Sequence, residues 1–357
     1  MKIIDFYHII FLVGGLVISY ISNILLLRFS QSLGIRNKNN VLIRWSNESK
    51  PSLGGISLFA GFLFSTIMSL ILLPEINLFG DLRYLGLFIS ASLAFTMGLA
   101  DDAYDTKPYF KLLIQILCGV VLVLTGTVID LFHNHLIDSL LSIIWVITLM
   151  NALNMLDNMD GITATTVFFT LLSCLASCYV IGIVSEPYWI YCLVAMLGSL
   201  FGFLYFNIYP SRLFMGDAGS QFIGLFVAFF SIKFLWNLGA TTHNHSWVSI
   251  IITLVALTPA AVDSLTVSIN RLKQGKSPMQ GGKDHTTHHL VYSGLNDRQV
   301  WYVFSLLGFL SFVCSLLIIY LTVNGYIFEV LFFLFYFIIV FIYLYRKTIK
   351  YLPPKKI

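Results

Sequence analysis

Four groups of aspartates stand along this chain of 357 residues where carboxylates are costly. Asp101, Asp102 and Asp105 end an apolar stretch in GLADDAYDTKPYFKLLIQ. Asp157 and Asp160 end another in NALNMLDNMDG. Asp217 opens a third in FMGDAGS, and Asp263 lies within a fourth. Ionisable groups at membrane depth are expensive and usually mark a function or an ion path. Adjacent carboxylates repel unless a proton or a cation lies between them. Hard oxygen donors suit Mg²⁺ or Mn²⁺, and Mg²⁺ commonly takes one or two carboxylates together with substrate phosphates. A single such aspartate is as readily a helix cap or a salt-bridge partner. Four groups at separate helix ends facing one compartment point instead to a shared site, because the same-side ends of bundled helices converge.

Other residues fit the same chemistry. Asn151, Asn154 and Asp157 follow one another at steps of three and so share a helix face. Lys111 and Gln115, at i and i+4, offer a cation and an amide to a phosphate at the membrane surface; a snorkelling interfacial lysine is the plainer reading of Lys111. In Gly216-Asp217-Ala218-Gly219-Ser220, small residues let backbone approach a ligand at a helix N-terminus, although Asp217 alone also reads as a cap. The segment GGKDHTTHHL places His285, His288 and His289 beside Lys283 and Asp284, three of the chain's eight histidines within five residues. It has no HExxH pattern and no cysteine partner, which argues against zinc. Contact with phosphate or uridine diphosphate fits better, since lysine, imidazole and glycine amides all donate to phosphate. Gly275-Lys276-Ser277 imitates the end of a P-loop, but position 270 is Asn270 and no strand precedes it.

The elements that must carry these residues are membrane helices. The chain is 58% hydrophobic and 11% charged, against about half and a quarter for a soluble domain. Eleven segments approach the roughly 20 apolar residues needed for a span, at about 6–27, 52–73, 82–100, 110–129, 136–154, 162–184, 187–206, 218–238, 247–269, 300–321 and 325–345. The sequence thus predicts an all-α integral membrane protein of about 11 transmembrane helices, forming a single polytopic catalytic domain over 1–357. Its first span reads as retained and not as a signal peptide. The loops at about 28–51, 101–109, 155–161, 207–217 and 270–299 and a basic tail at 346–357, together with Lys111, hold 18 of the 21 lysines and arginines. The opposite loops carry Glu75, Asp81, Asp130, Asp138 and Glu186. The positive-inside rule then puts those basic loops and the C-terminus in the cytoplasm and the N-terminus outside. The five cysteines sit in apolar stretches as small hydrophobes. No basic, aromatic-interleaved domain exists, so nucleic acid is not a partner.

With these motifs in order along one side of the membrane, the chain resembles the polyprenyl-phosphate N-acetylhexosamine-1-phosphate transferases of the glycosyltransferase family 4 type. That family includes the undecaprenyl-phosphate N-acetylglucosamine-1-phosphate transferases and phospho-N-acetylmuramoyl-pentapeptide transferase. The resemblance runs from Lys50 to about Arg298. Lys50-Pro51-Ser52-Leu53-Gly54-Gly55 is similar to its P-x-x-G-G element, and Asp101-Asp102 with Asp105, Pro108, Lys111 and Gln115 to its aspartate-rich motif. Residues 151–161 are similar to its N-x-x-N-x-x-D-G-x-D-G motif and 216–220 to its G-D-x-G-S motif, with Pro259, Asp263 and Arg271 following. Two departures stand out. Asn158 occupies the place of a usual glycine. The histidine motif reads Asp284-His285-Thr286-Thr287-His288-His289, one residue short and without the arginine that usually follows the aspartate.

The resemblance implies transfer of a sugar-1-phosphate from a UDP-sugar to undecaprenyl phosphate with release of UMP. That is a first membrane step of cell-envelope polysaccharide synthesis, at the cytoplasmic face of a bacterial inner membrane, and a homodimer is compatible with it. It implies Mg²⁺ (or Mn²⁺) on Asp217 with Asp102 close by. Asp101 would be the base that keeps the lipid phosphate ionised, and Lys111 a phosphate holder. Asn151, Asn154, Asp157 and Asp160 would serve the uridine part or order their loop, and Lys283, His285, His288 and His289 the diphosphate or sugar. A secondary transporter is the main alternative; it would place its polar residues near the bilayer midplane and show a repeat. An aspartyl intramembrane protease would use Tyr104-Asp105 and Gly216-Asp217, but its second motif needs a glycine where Phe214 stands.

Overall fold

The computed structural model describes residues 2–30, 50–181, 186–242, 245–277 and 282–352. Most of the expected loop at 28–51, with Arg36, Lys38 and Arg44, lies outside the described residues, as do positions 278–281 of the loop at 270–299 and Lys355 and Lys356 of the tail.

Every regular element among the described residues is helical. In a bilayer only structures that pair their own backbone groups are stable, and a helix does so within one segment. The helices are α1 (Lys2–Phe29), α2 (Gly54–Leu72), α3 (Leu82–Tyr104), α4 (Pro108–Leu124), α5 (His135–Leu156), α6 (Ile162–Ile181), α7 (Pro187–Asn207) and α8 (Gly216–Ser231), followed by α9 (Leu238–Thr241), α10 (Ser246–Ala256), α11 (Thr258–Lys273), α12 (Thr286–Tyr292), α13 (Asp297–Val323) and α14 (Phe333–Lys350). Among the described residues nine helices are long and apolar enough to cross a membrane, or ten if α10 and α11 count as one bent span. The segment expected at about 110–129 is the shorter apolar helix α4, of 17 residues.

Local chemistry sets the ends. Asp81 accepts from the Arg83 N–H at 2.9 Å and caps α3. Asn134 caps α5, and Asn296 with Gln299 forms a capping box on α13. Such side-chain acceptors satisfy the amides that the first helical turn leaves bare.

The centre of the bundle is α7 and α8. Their most apolar windows are 89% buried, against 22% for α1 and 17% for the span that contains α14, so the outer helices meet lipid. Trp189 and Tyr191 of α7 and Phe222, Phe226, Phe229 and Phe230 of α8 fill this centre. Where α3 crosses α8, Gly98 lies against the backbone of Asp217 and Ala218, and a Cβ there would overlap both. Small residues allow such close backbone approach between membrane helices. Here it brings the last turn of α3 to the first turn of α8.

The ninth expected span is not one straight helix. Residues 247–269 fall on α10 and α11, which meet at an 83° bend. The cause is Pro259, which has no N–H to offer the carbonyl four residues back. The Thr258 hydroxyl takes over, donating to Val255 O at 2.9 Å and Leu254 O at 3.1 Å. The bend turns Asp263 and Arg271 toward the helix ends that carry the other aspartates.

Candidate active site

The aspartate-rich turn is built by α3 stopping and α4 starting within three residues. Asp105 adopts the left-handed conformation (φ 56°) and its N–H closes on Asp101 O at 2.9 Å. Thr106 then folds back, its N–H and hydroxyl both donating to Asp101 Oδ1, at 2.9 and 2.6 Å. Pro108 opens α4, where its fixed φ suits the first turn. Lys111 follows one turn later, and its ammonium pairs with Asp101 Oδ2 and lies 3.8 Å from Asp217 Oδ2. Asp101 itself is buried.

The first turn of α8 is held from two sides. The Pro51-to-Gly55 stretch runs beside it: Phe214 N–H donates to Pro51 O, Gly54 N–H to Phe214 O and Gly55 N–H to Met215 O, each at 2.9 Å. Gly216 sits at φ +73°, and a Cβ there would press on Ser52 O and come within 2.8 Å of Asp102 Oδ2. From the other side Asp102 supplies the cap. Its Oδ1 accepts the Asp217 N–H at 3.1 Å and its Oδ2 the Ala218 N–H at 2.9 Å. A carboxylate is well placed there because a helix N-terminus carries partial positive charge. With capping done by Asp102, the Asp217 side chain is turned elsewhere. Its Oδ1 accepts from Asn154 Nδ2 at 2.6 Å, and Asn154 also donates to Ser220 Oγ at 2.8 Å.

One turn deeper lies a layer of amides. Gln115 and Asn151 exchange hydrogen bonds at 2.9 and 3.3 Å, and Gln115 Nε2 also donates to Gln221 Oε1 at 3.1 Å. The expected pairing of Lys111 with Gln115 at the surface therefore divides. Lys111 faces the carboxylates, while Gln115 is buried among amides beneath them. A lone amide at this depth would lose its bonds to water, so the helix ends provide partners.

Asp157 and Asp160 form an adjoining corner. Although Asp157 is only half-buried as a residue, desolvation pushes its carboxyl up to about 7; the Thr163 hydroxyl beside it opposes the rise, and the charges of Asp102 and Asp160 add to it. Asp160 Oδ2 accepts the Ser211 N–H at 2.9 Å. Asn158 bridges to the histidine segment: its Nδ2 donates to Met155 O at 2.9 Å and its Oδ1 accepts from the Thr287 hydroxyl at 2.7 Å.

The histidine segment is α12 with its approach. The buried Asp263 carboxylate bonds His285 Nδ1 at 2.8 Å and accepts from the Thr286 N–H (2.8 Å) and hydroxyl (2.6 Å). Arg271 donates two hydrogen bonds of 2.7 Å to Asp284. Asp284 thus takes its arginine partner from α11. Burial alone would raise the Asp284 carboxyl, but Arg271 more than offsets it and holds it below the usual range. His288 is buried edge-on to the His285 ring, with centroids 5.5 Å apart, and burial pushes its imidazole down to about 3, so it stays neutral. His289 Nδ1 meets the carbonyl of Tyr351 at 2.5 Å. Lys283 is half-exposed at the start of this segment, and its carbonyl accepts from the Tyr292 hydroxyl at 3.2 Å.

Asp101, Asp102, Lys111, Asn154 and Asp217 thus share one centre, with Asn151 beneath it. Asp157, Asp160, Lys283, His285, His288 and His289 form the flank, joined through Asn158 and Thr287. The sequence reading passed over Thr106, Ser211 and Gln221, and gave Ser220 and Thr287 no role of their own. Gln221 stands at i+4 from Asp217 as Gln115 does from Lys111, and that repeated spacing was the available signal. Among the described residues no three acidic, histidine or cysteine side chains form a metal cage. Asp217, with Asp102 capping the same helix turn, fits an ion that needs only one or two carboxylates and completes its shell with phosphate and water oxygens.

A model of glycosyl transferase family 4 matches residues 84–235, the stretch from α3 to the end of α8 that carries the whole aspartate centre. A probable undecaprenyl-phosphate N-acetylglucosaminyl 1-phosphate transferase of Bacillus subtilis is 24% identical over 278 residues, covering 75% of this chain and 73% of the relative. A decaprenyl-phosphate N-acetylglucosaminephosphotransferase of Mycolicibacterium smegmatis is 25% identical over 293 residues, 73% of this chain and 70% of the relative. A phospho-N-acetylmuramoyl-pentapeptide-transferase of Streptococcus pneumoniae is 25% identical over 320 residues, 82% of this chain and 92% of the relative.

Proposed function

We propose that this membrane glycosyl-1-phosphate transferase, whose residues 84–235 match glycosyl transferase family 4, moves an N-acetylhexosamine-1-phosphate from a UDP-sugar to undecaprenyl phosphate and releases UMP. The reading includes an eleven-span topology with the N-terminus outside, and a reaction on the cytoplasmic face of a bacterial inner membrane that starts a cell-envelope polysaccharide. The observation that carries it is the Asp101–Lys111–Asp217 cluster at joined helix ends.

In this reaction a lipid phosphate oxygen forms a bond to the β-phosphorus of the UDP-sugar, and the bond from that phosphorus to the bridging oxygen of UMP breaks. Two anions must meet, so charge compensation and alignment carry the catalysis. Lys111 holds phosphate. Asp101, fixed by Thr106, takes the last proton of the lipid phosphate; a phosphate's second ionisation lies near about pH 6, so the help needed is small. Asp217 is the ligand for Mg²⁺ or Mn²⁺, with Asp102 beside it holding the helix turn that aims it. The ion supplies Lewis-acid neutralisation of the diphosphate. Asn154, Asp157 and Asp160 receive the uridine end. Lys283, the neutral His288, His289 and the Asp263-anchored His285 receive the diphosphate and sugar.

The test is the purified chain in lipid nanodiscs with undecaprenyl phosphate and a panel of UDP-sugars, reading UMP and glycolipid. At least one UDP-N-acetylhexosamine should give both products in a Mg²⁺-dependent way, and Asp217→Asn should abolish them while membrane insertion persists. Failure of every UDP-sugar, or near-normal turnover by Asp217→Asn, would remove the reading or its metal assignment respectively.

A further inference from the structure

The last helix carries a second polar feature, on the far side of the histidine segment from the aspartates. Ile339, Ile342, Tyr343, Arg346, Lys347 and Lys350 follow one another at helical steps of three, four, seven, eight and eleven, and so form one stripe along α14. With Tyr351 they line a cavity of about 380 Å³. Its lower part is apolar and exposed, continuous with Phe335 and Ile338 on the same outward face. Its upper part is cationic and aromatic: the Lys347 ammonium lies 5.6 Å from the Tyr343 ring and 5.1 Å from Tyr351, and Lys350 lies 5.3 Å from Tyr351. Among the described residues no acidic side chain lines it.

An apolar wall that becomes three cations within two turns matches a lipid with acyl chains below and an anionic head above. We propose that this cavity is a binding site for an anionic phospholipid of the bilayer, held by Arg346, Lys347 and Lys350. The polyprenyl phosphate substrate does not fit this place. Among the described elements α14 packs mainly on α10, α11 and α12 and bonds α13 through the Tyr336 hydroxyl, and neither helix that presents Lys111 or Asp217 is among its main partners.

The site also bears on the flank of the reaction centre. The end of α14 is tied to α11 by Asn270 Nδ2 donating to Thr348 Oγ1 at 2.9 Å and by Lys273 Nζ donating to the Tyr345 hydroxyl at 2.6 Å. It is tied to α12 by the contact of His289 with the Tyr351 carbonyl. Tyr351 thus lines the lipid cavity with its ring and fixes His289 with its backbone. A bound headgroup steadies this turn, and through it His289; that consequence rests on the transferase reading, whereas the lipid site itself does not.

The experiment uses the full chain, purified and delipidated, with phosphatidylglycerol or phosphatidylcholine as the probe. Retained lipid is read by native mass spectrometry, and backbone hydrogen exchange over 286–292 by peptide mapping. Wild type should retain phosphatidylglycerol over phosphatidylcholine by roughly fivefold or more, given the attraction of each basic residue for an anionic surface. The triple variant Arg346→Gln, Lys347→Gln, Lys350→Gln should lose that preference. Phosphatidylglycerol should slow exchange over 286–292 in wild type and leave the variant unchanged. An undiminished preference in the triple variant would overturn the proposal, as would cross-linking through Ile342→Cys showing that a second copy of the chain covers this face. Neither readout requires turnover, so a wrong transferase assignment would leave the result standing.

Discussion

The Asp102 carboxylate spans the N-terminus of α8, with one oxygen on the Asp217 N–H at 3.1 Å and the other on the Ala218 N–H at 2.9 Å. The helix that carries Asp217 is therefore capped by α3 and not by its own sequence. Asp102→Ala leaves two buried amides without an acceptor, at a cost of about 1–3 kcal/mol each by the usual penalty for an orphaned group. Thermal unfolding in detergent should show a clear fall in Tm along with loss of transfer. An unchanged Tm would mean that the cap is dispensable.

Lys111 stands between Asp101 and Asp217, and its two expected roles separate on substitution. Lys111→Met removes a phosphate holder, so the KM for the lipid phosphate should rise by roughly tenfold or more, equivalent to about 1.4 kcal/mol. It also leaves two adjoining carboxylates without a cation, so less Mg²⁺ should be needed for half-saturation. Steady-state titration of lipid and metal checks both. A rise in the Mg²⁺ requirement would place Lys111 with the metal site and not opposite it.

The amide layer makes a different kind of prediction. Gln115→Leu strands Asn151 and Gln221 in a buried place and should cost roughly 1–3 kcal/mol. Adding Asn151→Leu removes one stranded partner, so the double variant should be no less stable than the single one. Paired unfolding curves decide this, and simple additivity of the two losses would refute the network.

For Asp157 the folded carboxyl holds its proton up to about 7, whereas in the unfolded chain it is released near 3.8. Between those values the native state binds more protons than the unfolded state, so this residue lowers stability as pH rises through that window. Asp157→Asn should therefore unfold several degrees higher than wild type at pH 8, with the gap closing toward pH 4. An equal gap at both pH values would deny the shifted carboxyl.

Hydropathy located the helices, and lysine and arginine placement indicated which ends belong together, because both reflect transfer from water to lipid and are written residue by residue. The separate aspartates were legible for the same reason. The bend at Leu257 was not, since α10 and α11 together read as one span by hydropathy, which carries no direction. Pro259 marked the place, but its effect depends on a Thr258 hydroxyl accepting the task of a missing amide. Nor could the sequence tell that Asp102 caps α8 while Asp217 beside it does not cap its own helix. That assignment follows from the contact of Gly98 with Ala218, a property of packing between segments over a hundred residues apart. The Asn158–Thr287 bond is of the same kind, joining residues 129 positions apart that no local pattern pairs.

The two tiers in α4, α5 and α8, site residues above and carboxamides one turn below, also constrain how this chain can change in length. A helix advances about 100° per residue. One inserted or deleted position between Lys111 and Gln115, Asn151 and Asn154, or Asp217 and Gln221 would swing one tier away while the other stayed in place. Lengthening is therefore tolerable only in connections that carry no site residue, whereas within these three stretches a single inserted or deleted position should abolish turnover.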